Sequence, residues 1–364
     1  MRFIGIFTWL ALVGALSAAM LSDPRRVGTG FEFSVSGASN AVYAIEASSD
    51  LQNWTRVVTN REVAEVRMIS LPASDQEGFY RVRLLQRIFT GAMGVRESIY
   101  LKGSGVQMDS FDSADPLAST GGQYDPAKAR DHADVMTTSS GLTNTLDLGN
   151  GKVRGVLRVA PGGGVILGAN GSVGSSVWVS SGQLGIEPGH LVEGTSRLFA
   201  DAEVPQGHVY VTPGPGTVDG TNYQHVLSDG HYALAELRSS MVVTGRATLY
   251  VSGSALPTRI VILPEASLDL YVGGAEVAIR SVVNESRNAA AFAYYGLPGN
   301  INIAVYGNSS FTGTFYAPAA RITVGGGGND EVVFTGAIVA RIITVNGKML
   351  MHYDERLGVA GPEL

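Results

Sequence analysis

From Arg87 onward the apolar positions come in short runs separated by glycine corners. Ser98-Ile99-Tyr100-Leu101 leads through Gly103-Ser104-Gly105 into Val106-Gln107-Met108. Thr145-Leu146-Asp147-Leu148-Gly149 is followed by Val153-Arg154-Gly155-Val156-Leu157, and Val165-Ile166-Leu167-Gly168 by Ser175 to Ser180 with Trp178 inside. Strands this short, with glycine to turn each corner at positive φ, predict coils and not long antiparallel hairpins. Internal echoes give the period. Phe311-Thr312-Gly313 returns as Phe334-Thr335-Gly336, Ile322-Thr323-Val324 as Ile343-Thr344-Val345, and the stretch around Leu249-Tyr250-Val251 as Leu270-Tyr271-Val272. A coil of strand, turn and strand cannot bury its own apolar side, so each needs a neighbour above and below. The expected architecture for 87–357 is a right-handed parallel β-helix, a solenoid of roughly 9 to 11 coils at about 4.8 Å per coil. A long Gly- and Pro-rich insertion is expected at about 182–230.

Upstream the period changes to two. Phe31-Glu32-Phe33-Ser34-Val35, Val42-Tyr43-Ala44-Ile45 and Phe79-Tyr80-Arg81-Val82 alternate apolar and polar positions, the mark of antiparallel strands with one face covered. These predict a small β-sandwich over 28–86, with Trp54 and Tyr80 in its core. The strings VYAIEASSDLQNWTRVVTN and EGFYRVRL resemble a small β-sandwich module of secreted bacterial proteins, which is usually an accessory and not a catalyst. Before it, Arg2 precedes an apolar run from Phe3 to Leu21 with Ser17, Ala18 and Ala19 near its end. That pattern reads as a signal peptide over 1–22, cut after Ala19. The competing expectation is an uncleaved N-terminal anchor, since about 19 apolar residues just span a bilayer. Residues 358–364 are a C-terminal tail.

Composition narrows the class. The chain has 364 residues, of which only 16% are charged and 47 are glycine. Both values suit an all-β fold with many tight turns. The net charge of −6 leaves no basic stripe to offset phosphates, so nucleic acid is excluded as a partner. The chain has no cysteine. Disulfides, thiolate chemistry and Cys-type zinc sites go with it, and stacking must hold the fold.

Three strings, DSFDSADP at 109–116, FAYYGLP at 292–298 and the end FTGTFYAPAA…FTGAIVA…NGKMLMHYDERL, together resemble an uncharacterised family of bacterial surface β-helix domains over about Ile99 to Leu357. The closing His352-Tyr353-Asp354-Glu355 is the most specific part. The resemblance implies the coil architecture and surface display, in some relatives linked to pilus assembly, and no established reaction. This chain lacks the Gly-Phe-Thr processing site of the pilus-linked members, which speaks against a pilin subunit.

Candidate chemistry is sparse. Asp109, Asp112 and Asp115, followed by Asp125, Asp131 and Asp134, could supply oxygens to calcium, but the spacing does not match a calcium loop. Asp side chains capping turns beside Pro116 and Pro126 fit better. In the insertion, His190, His208, His225 and His231 accompany Tyr210, Tyr223, Tyr232, Glu193, Asp201 and Asp219, without the tight spacing of a metal site. They suit plain decoration of the scaffold, with a loop that touches a partner or a glycan as the alternative. A polysaccharide hydrolase on this scaffold needs two facing carboxylates, and none of the pectin-hydrolase motifs is present. His352 to Glu355 is expected to cap the ladder edge of the last coil. No catalytic residue, cofactor or metal ligand is assigned. The expected function is a non-catalytic, exported structural or adhesive element of a cell envelope, in the periplasm, at the outer surface or outside the cell. Its expected partner is envelope polysaccharide or another surface protein. The alternatives are a carbohydrate-active enzyme on the same scaffold and a pilus-associated component tethered by its N-terminal helix, the only route by which a membrane would be engaged.

Overall fold

The computed structural model describes residues 20–360 except 28–29, 37–41, 49–54, 62–66, 73–78, 86–87, 104, 140–144, 196, 307–309 and 326–330. The segment before Met20 and the expected core residue Trp54 therefore lie outside the described residues. The chain is all-β with parallel sheets and divides into two compact units, one ending at Gln86 and one starting at Arg87. Among the described residues no helix is long and apolar enough to cross a membrane.

The first unit has two three-stranded antiparallel sheets. One joins Met20–Val27, Gly30–Ser36 and Arg67–Pro72; the other joins Thr55–Arg61, Val42–Ser48 and Phe79–Leu85. Its first strand thus begins ahead of residue 28, where the alternation alone places the start. The pairing slips between Ser22 and Arg25, at Pro24, which has no N–H to give a ladder and sits at an irregularity. Ile45 is buried, and beside it the buried Glu46 accepts a 2.6 Å hydrogen bond from Arg81 Nε. Tyr80 is half-buried.

In the second unit, like-placed residues of successive strands lie opposite one another in parallel register. One inward column runs Tyr232, Leu249, Leu270, Tyr294, Phe315, Ile338, Met93, Val135, Leu157, Leu191. All but the last are buried. A second runs Leu237, Ala255, Val277, Ile303, Ile322, Ile343, Ile99, Leu146, Val165. A third runs Phe311, Phe334, Met351, Met108, Val153, Val173, Ile186. The repeated tripeptides sit on neighbouring strands: Phe311 and Phe334 stack with ring centroids 4.8 Å apart, and Tyr250 pairs with Tyr271. At Gly336 the backbone has φ +144°, and a Cβ would fall 1.8 Å from the carbonyl oxygen of Gly313. Only glycine allows that approach.

The order in space differs from the order in sequence. The columns pass from Ile338 to Met93, so the last strands of the chain lie against the first strands of the unit. Strand Lys348–Asp354 is paired on one side with residues 331–335 and on the other with Gly105–Phe111. The chain starts in the middle of the stack and runs outward to Leu191–Glu193. It then crosses to the far end at Gly230–Leu234 and returns to the middle. Two expectations change accordingly. His352 to Glu355 does not cap an edge; it lies inside the stack. The insertion is shorter than 182–230, because Gly185–Ile186 and Leu191–Glu193 are ladder strands and Gly230–Leu234 is another.

Phe315 is fully buried at the middle of the first column. Truncating it removes a ring and leaves a cavity that neighbouring coils cannot close, so Phe315→Ala is expected to lower stability by about 3–5 kcal/mol. Urea unfolding followed by far-UV circular dichroism measures it.

Candidate functional site

The richest group of polar side chains forms where strand Lys348–Asp354 meets strand Gly105–Phe111. Along Lys348–Asp354, Met349, Met351 and Tyr353 point into the core, which turns His352 and Asp354 outward. Both are nevertheless buried, at 7% and 3% exposure, because residues 112–134 fold back over them. Lys128 Nζ ties that loop by donating to the carbonyls of Pro116 and Ser119. Asp125 caps the short helix Pro126–Lys128 through Ala127 N, next to Tyr124.

Parallel register sets His352 opposite Asp109 and Tyr353 opposite Ser110. His352 Nδ1 lies 2.6 Å from Asp109 Oδ1, and the Tyr124 hydroxyl donates to Asp109 Oδ2 at 2.7 Å. The Tyr124 ring lies on the His352 ring, centroids 3.5 Å apart and 20° from parallel. Burial and then the Asp109 carboxylate push the Tyr124 phenol well above its ordinary value. On the other side, Glu355 accepts from Ser110 Oγ at 2.8 Å and faces His132 Nδ1 at 3.0 Å and Arg130 Nε at 3.5 Å. Burial alone would raise the Glu355 carboxyl, but bonds from His132 and Ser110 and the nearby positive charges hold it below the usual range. The hydrogen bond to Glu355 correspondingly raises His132. Asp354, raised by burial, accepts from the backbone N–H of Ser113 and Arg356. Tyr353 and Arg341 complete the join, donating to Phe89 O at 3.1 Å and to Glu97 Oε2 at 2.9 Å.

This arrangement can orient an imidazole but offers it no nucleophile. The face of His352 is covered by Tyr124, and each carboxylate is engaged by a donor of the protein itself. Two surface depressions, one lined by Ile279, Val305, Phe311 and Val332 and the other by Ile88, Met93 and Phe199, contain none of His352, Asp109 and Glu355.

The remaining aspartates cap turns. Asp112 accepts from Ala114 N and Asp115 from Leu117 N, while Asp131 takes Ser176 N and Asp134 takes Val156 N. Among the described residues no three His, Asp or Glu side chains converge on a point where a metal could sit. Of the four histidines expected in the insertion, the structure brings together His208 and His231, stacked at 3.8 Å with Tyr210 beside them. His190 faces Glu187, and His225 lies near Pro213 O. Tyr223 and Tyr232 are buried, Asp201 pairs with Arg96 at 2.7 Å, and Glu193 is exposed. Asp219 holds a turn at φ +49°. Sequence reasoning passed over Tyr124, Ser110, Arg130 and His132, which lie far from residue 352 along the chain and carry no local motif.

The His132–Glu355 pair makes a pH prediction. A raised His132 contributes stability that is full below its unfolded value of 6.5 and is lost as pH rises through the folded value. A lowered Glu355 contributes stability that is full above 4.5 and is lost as pH falls through the folded value. The advantage of the native chain over His132→Gln is therefore greatest between those limits. Because the His132 side chain is 56% exposed, solvent reduces that advantage to about 0.5 kcal/mol. Paired thermal melts across pH 4 to 9 read the difference, which should fade on the alkaline side.

Residues 215–359 match a family model described as a domain of unknown function, DUF7305, covering less than half of the chain. No curated protein matches the chain. The matched span carries His352 to Glu355 but not Asp109, Ser110, Tyr124 or His132, so the polar join reaches from the domain of unknown function into the coil that lies outside it.

Proposed function

We propose that this chain is an exported, non-catalytic structural or adhesive element of a bacterial cell envelope, in which a small β-sandwich precedes a right-handed parallel β-helix. The three continuous columns of the second unit support the coil reading, and parallel crossovers within a sheet are right-handed in nearly all proteins. The observation that carries the non-catalytic reading is the use made of the best acid–base residues. Asp109, His352, Tyr124, Glu355 and His132 spend their hydrogen bonds on one another, across the join of two coils, and so serve rigidity. Export is supported by the apolar run Phe3 to Leu21, and cleavage after Ala19 would leave Met20, the first residue of the first strand, as the new N-terminus.

Two measurements test this. Mass spectrometry of protein recovered from an expressing bacterium should find a chain starting at Met20 in the exported fraction; an intact Met1 retained in the cytoplasm would overturn export. Purified protein incubated with envelope and plant polysaccharides should release no products, whereas accumulating oligosaccharides would overturn the scaffold role.

A further inference from the structure

The columns are continuous in space but interrupted in sequence. Followed along the stack, the ladder runs from Gly230 to Asp354, then jumps to Met93 and continues to Glu193. Every inter-strand contact across that jump is of the same kind as those within each half. Residues 338–345 pair with Met93–Leu101, and Lys348–Asp354 with Gly105–Phe111. The covalent link between the halves in the stack is the crossing segment, 194–214.

That link is longer than its span. Leu191 and Tyr232 stand nine inter-strand steps apart in the first column, which is about 43 Å at ~4.8 Å per step. Residues 216–227 are paired strands of the second body, so the link is 194–214, whose 21 residues reach ~70 Å fully extended. It is held at discrete points. Phe199 sits over Gly94, where a Cβ would come 2.7 Å from its ring. Its carbonyl accepts from Arg96 Nε at 3.0 Å, and the Tyr316 hydroxyl donates to Ala200 O at 2.7 Å. Between these anchors and the bridge of Val211 to Tyr232, residues 206–209 are exposed, Val209 at 84%.

We infer that 88–193 and 215–359 are two separable bodies joined by complementary coil edges, so that the edge at Lys348–Asp354 can receive the coil 93–111 from a second copy of this chain. The edge selects that coil and no other by register. Parallel backbone pairing is indifferent to sequence, but only one alignment places Asp109 against His352, Ser110 against Glu355 and Glu97 against Arg341. Any slip would leave the buried Asp109, His352 and Ser110 without these partners. In one chain the slack tether gives the home coil a high effective concentration, so the closed monomer dominates in dilute solution. At high concentration during folding, a chain whose edge is not yet filled meets the same coil on its neighbour. The product is a half-exchanged dimer whose joins are identical to the one described. This inference rests on the ladder geometry and not on the proposed role in the envelope, so either can fail alone.

The test begins with a site-specific protease sequence inserted after Gly207 in the full chain. After cleavage, the two fragments should elute together as one folded species of unchanged size. Fragments that separate, or unfold, on cleavage would overturn the inference. Next, cleaved protein is mixed with an isotopically labelled cleaved copy at urea concentrations below the unfolding transition. Native mass spectrometry should then show light–heavy pairs, formed about tenfold faster for Glu355→Gln, a change at the rim of the join. Exchange that begins only when both fragments unfold would show one indivisible body. Finally, the uncut chain refolded at high and low concentration should give dimer only at high concentration, measured by light scattering. Monomer at every concentration would refute exchange between copies.

Discussion

A β-strand has two edges of unpaired backbone N–H and C=O groups, and a short one has an apolar face that it cannot cover alone. Everything in the second unit follows from how those edges are filled. Stacking in parallel register satisfies the backbone and, at the same time, sets Phe on Phe and Ile on Ile along the inward columns. The first column buries Tyr294, Phe315, Ile338 and Met93 without any change at the point where the chain ends and begins. Hydrophobic burial is non-directional and does not register whether neighbouring coils are also neighbours in sequence.

That indifference creates a problem which the polar groups solve. Apolar columns of Ile, Val and Met would accept several alignments of the last coil on the first. A buried His352 facing Asp109, with Tyr124 hydrogen-bonded to the same carboxylate, accepts one. Replacing such a cluster with apolar side chains is often neutral for stability, so its value lies in selection of register. The charges at the rim, Arg130, His132 and Glu355, add less energy because water reaches them. They keep the covering loop closed over His352 and Asp354, and the loop in turn keeps those side chains dry.

How much of this was legible in the sequence depended on distance along the chain. Phe311 and Phe334, or Tyr250 and Tyr271, are neighbours both in the stack and in the repeat, so a period of 21 to 23 residues was enough to pair them. Asp109 and His352 stand 243 residues apart. Each belongs to a recognisable string, DSFDSADP or HYDE, yet nothing in one sequence says that the two strings meet. The position of His352 near the C-terminus suggested an edge, because a stack built in chain order would end there. The extent of the insertion was misjudged for a related reason: strands of two and three residues such as Gly185–Ile186 give too little periodicity to separate from loop. In the first unit, Pro24 hid the opening strand, since proline demotes an apolar run that a slipped pairing can still accommodate.

The topology also sets what the crossing segment must do. A stack grown in chain order needs no return path, whereas this one places the middle of the chain at both ends. Tyr271, Tyr295 and Tyr316 share one ladder position, opposite in side to the first column by strand alternation, and all three are buried. Tyr271 and Tyr295 stack at 4.5 Å, and Tyr316 holds the segment through Ala200. On the next two strands the same ladder position shrinks to Val339 and then to Gly94, and the vacated space is filled by Phe199 from the crossing segment itself. At Gly94 that ladder position is thereby covered from within the chain. The segment is thus part of the packing at Phe199 to Ala202, where those residues are buried or bonded, and a tether elsewhere, which is why length there costs little.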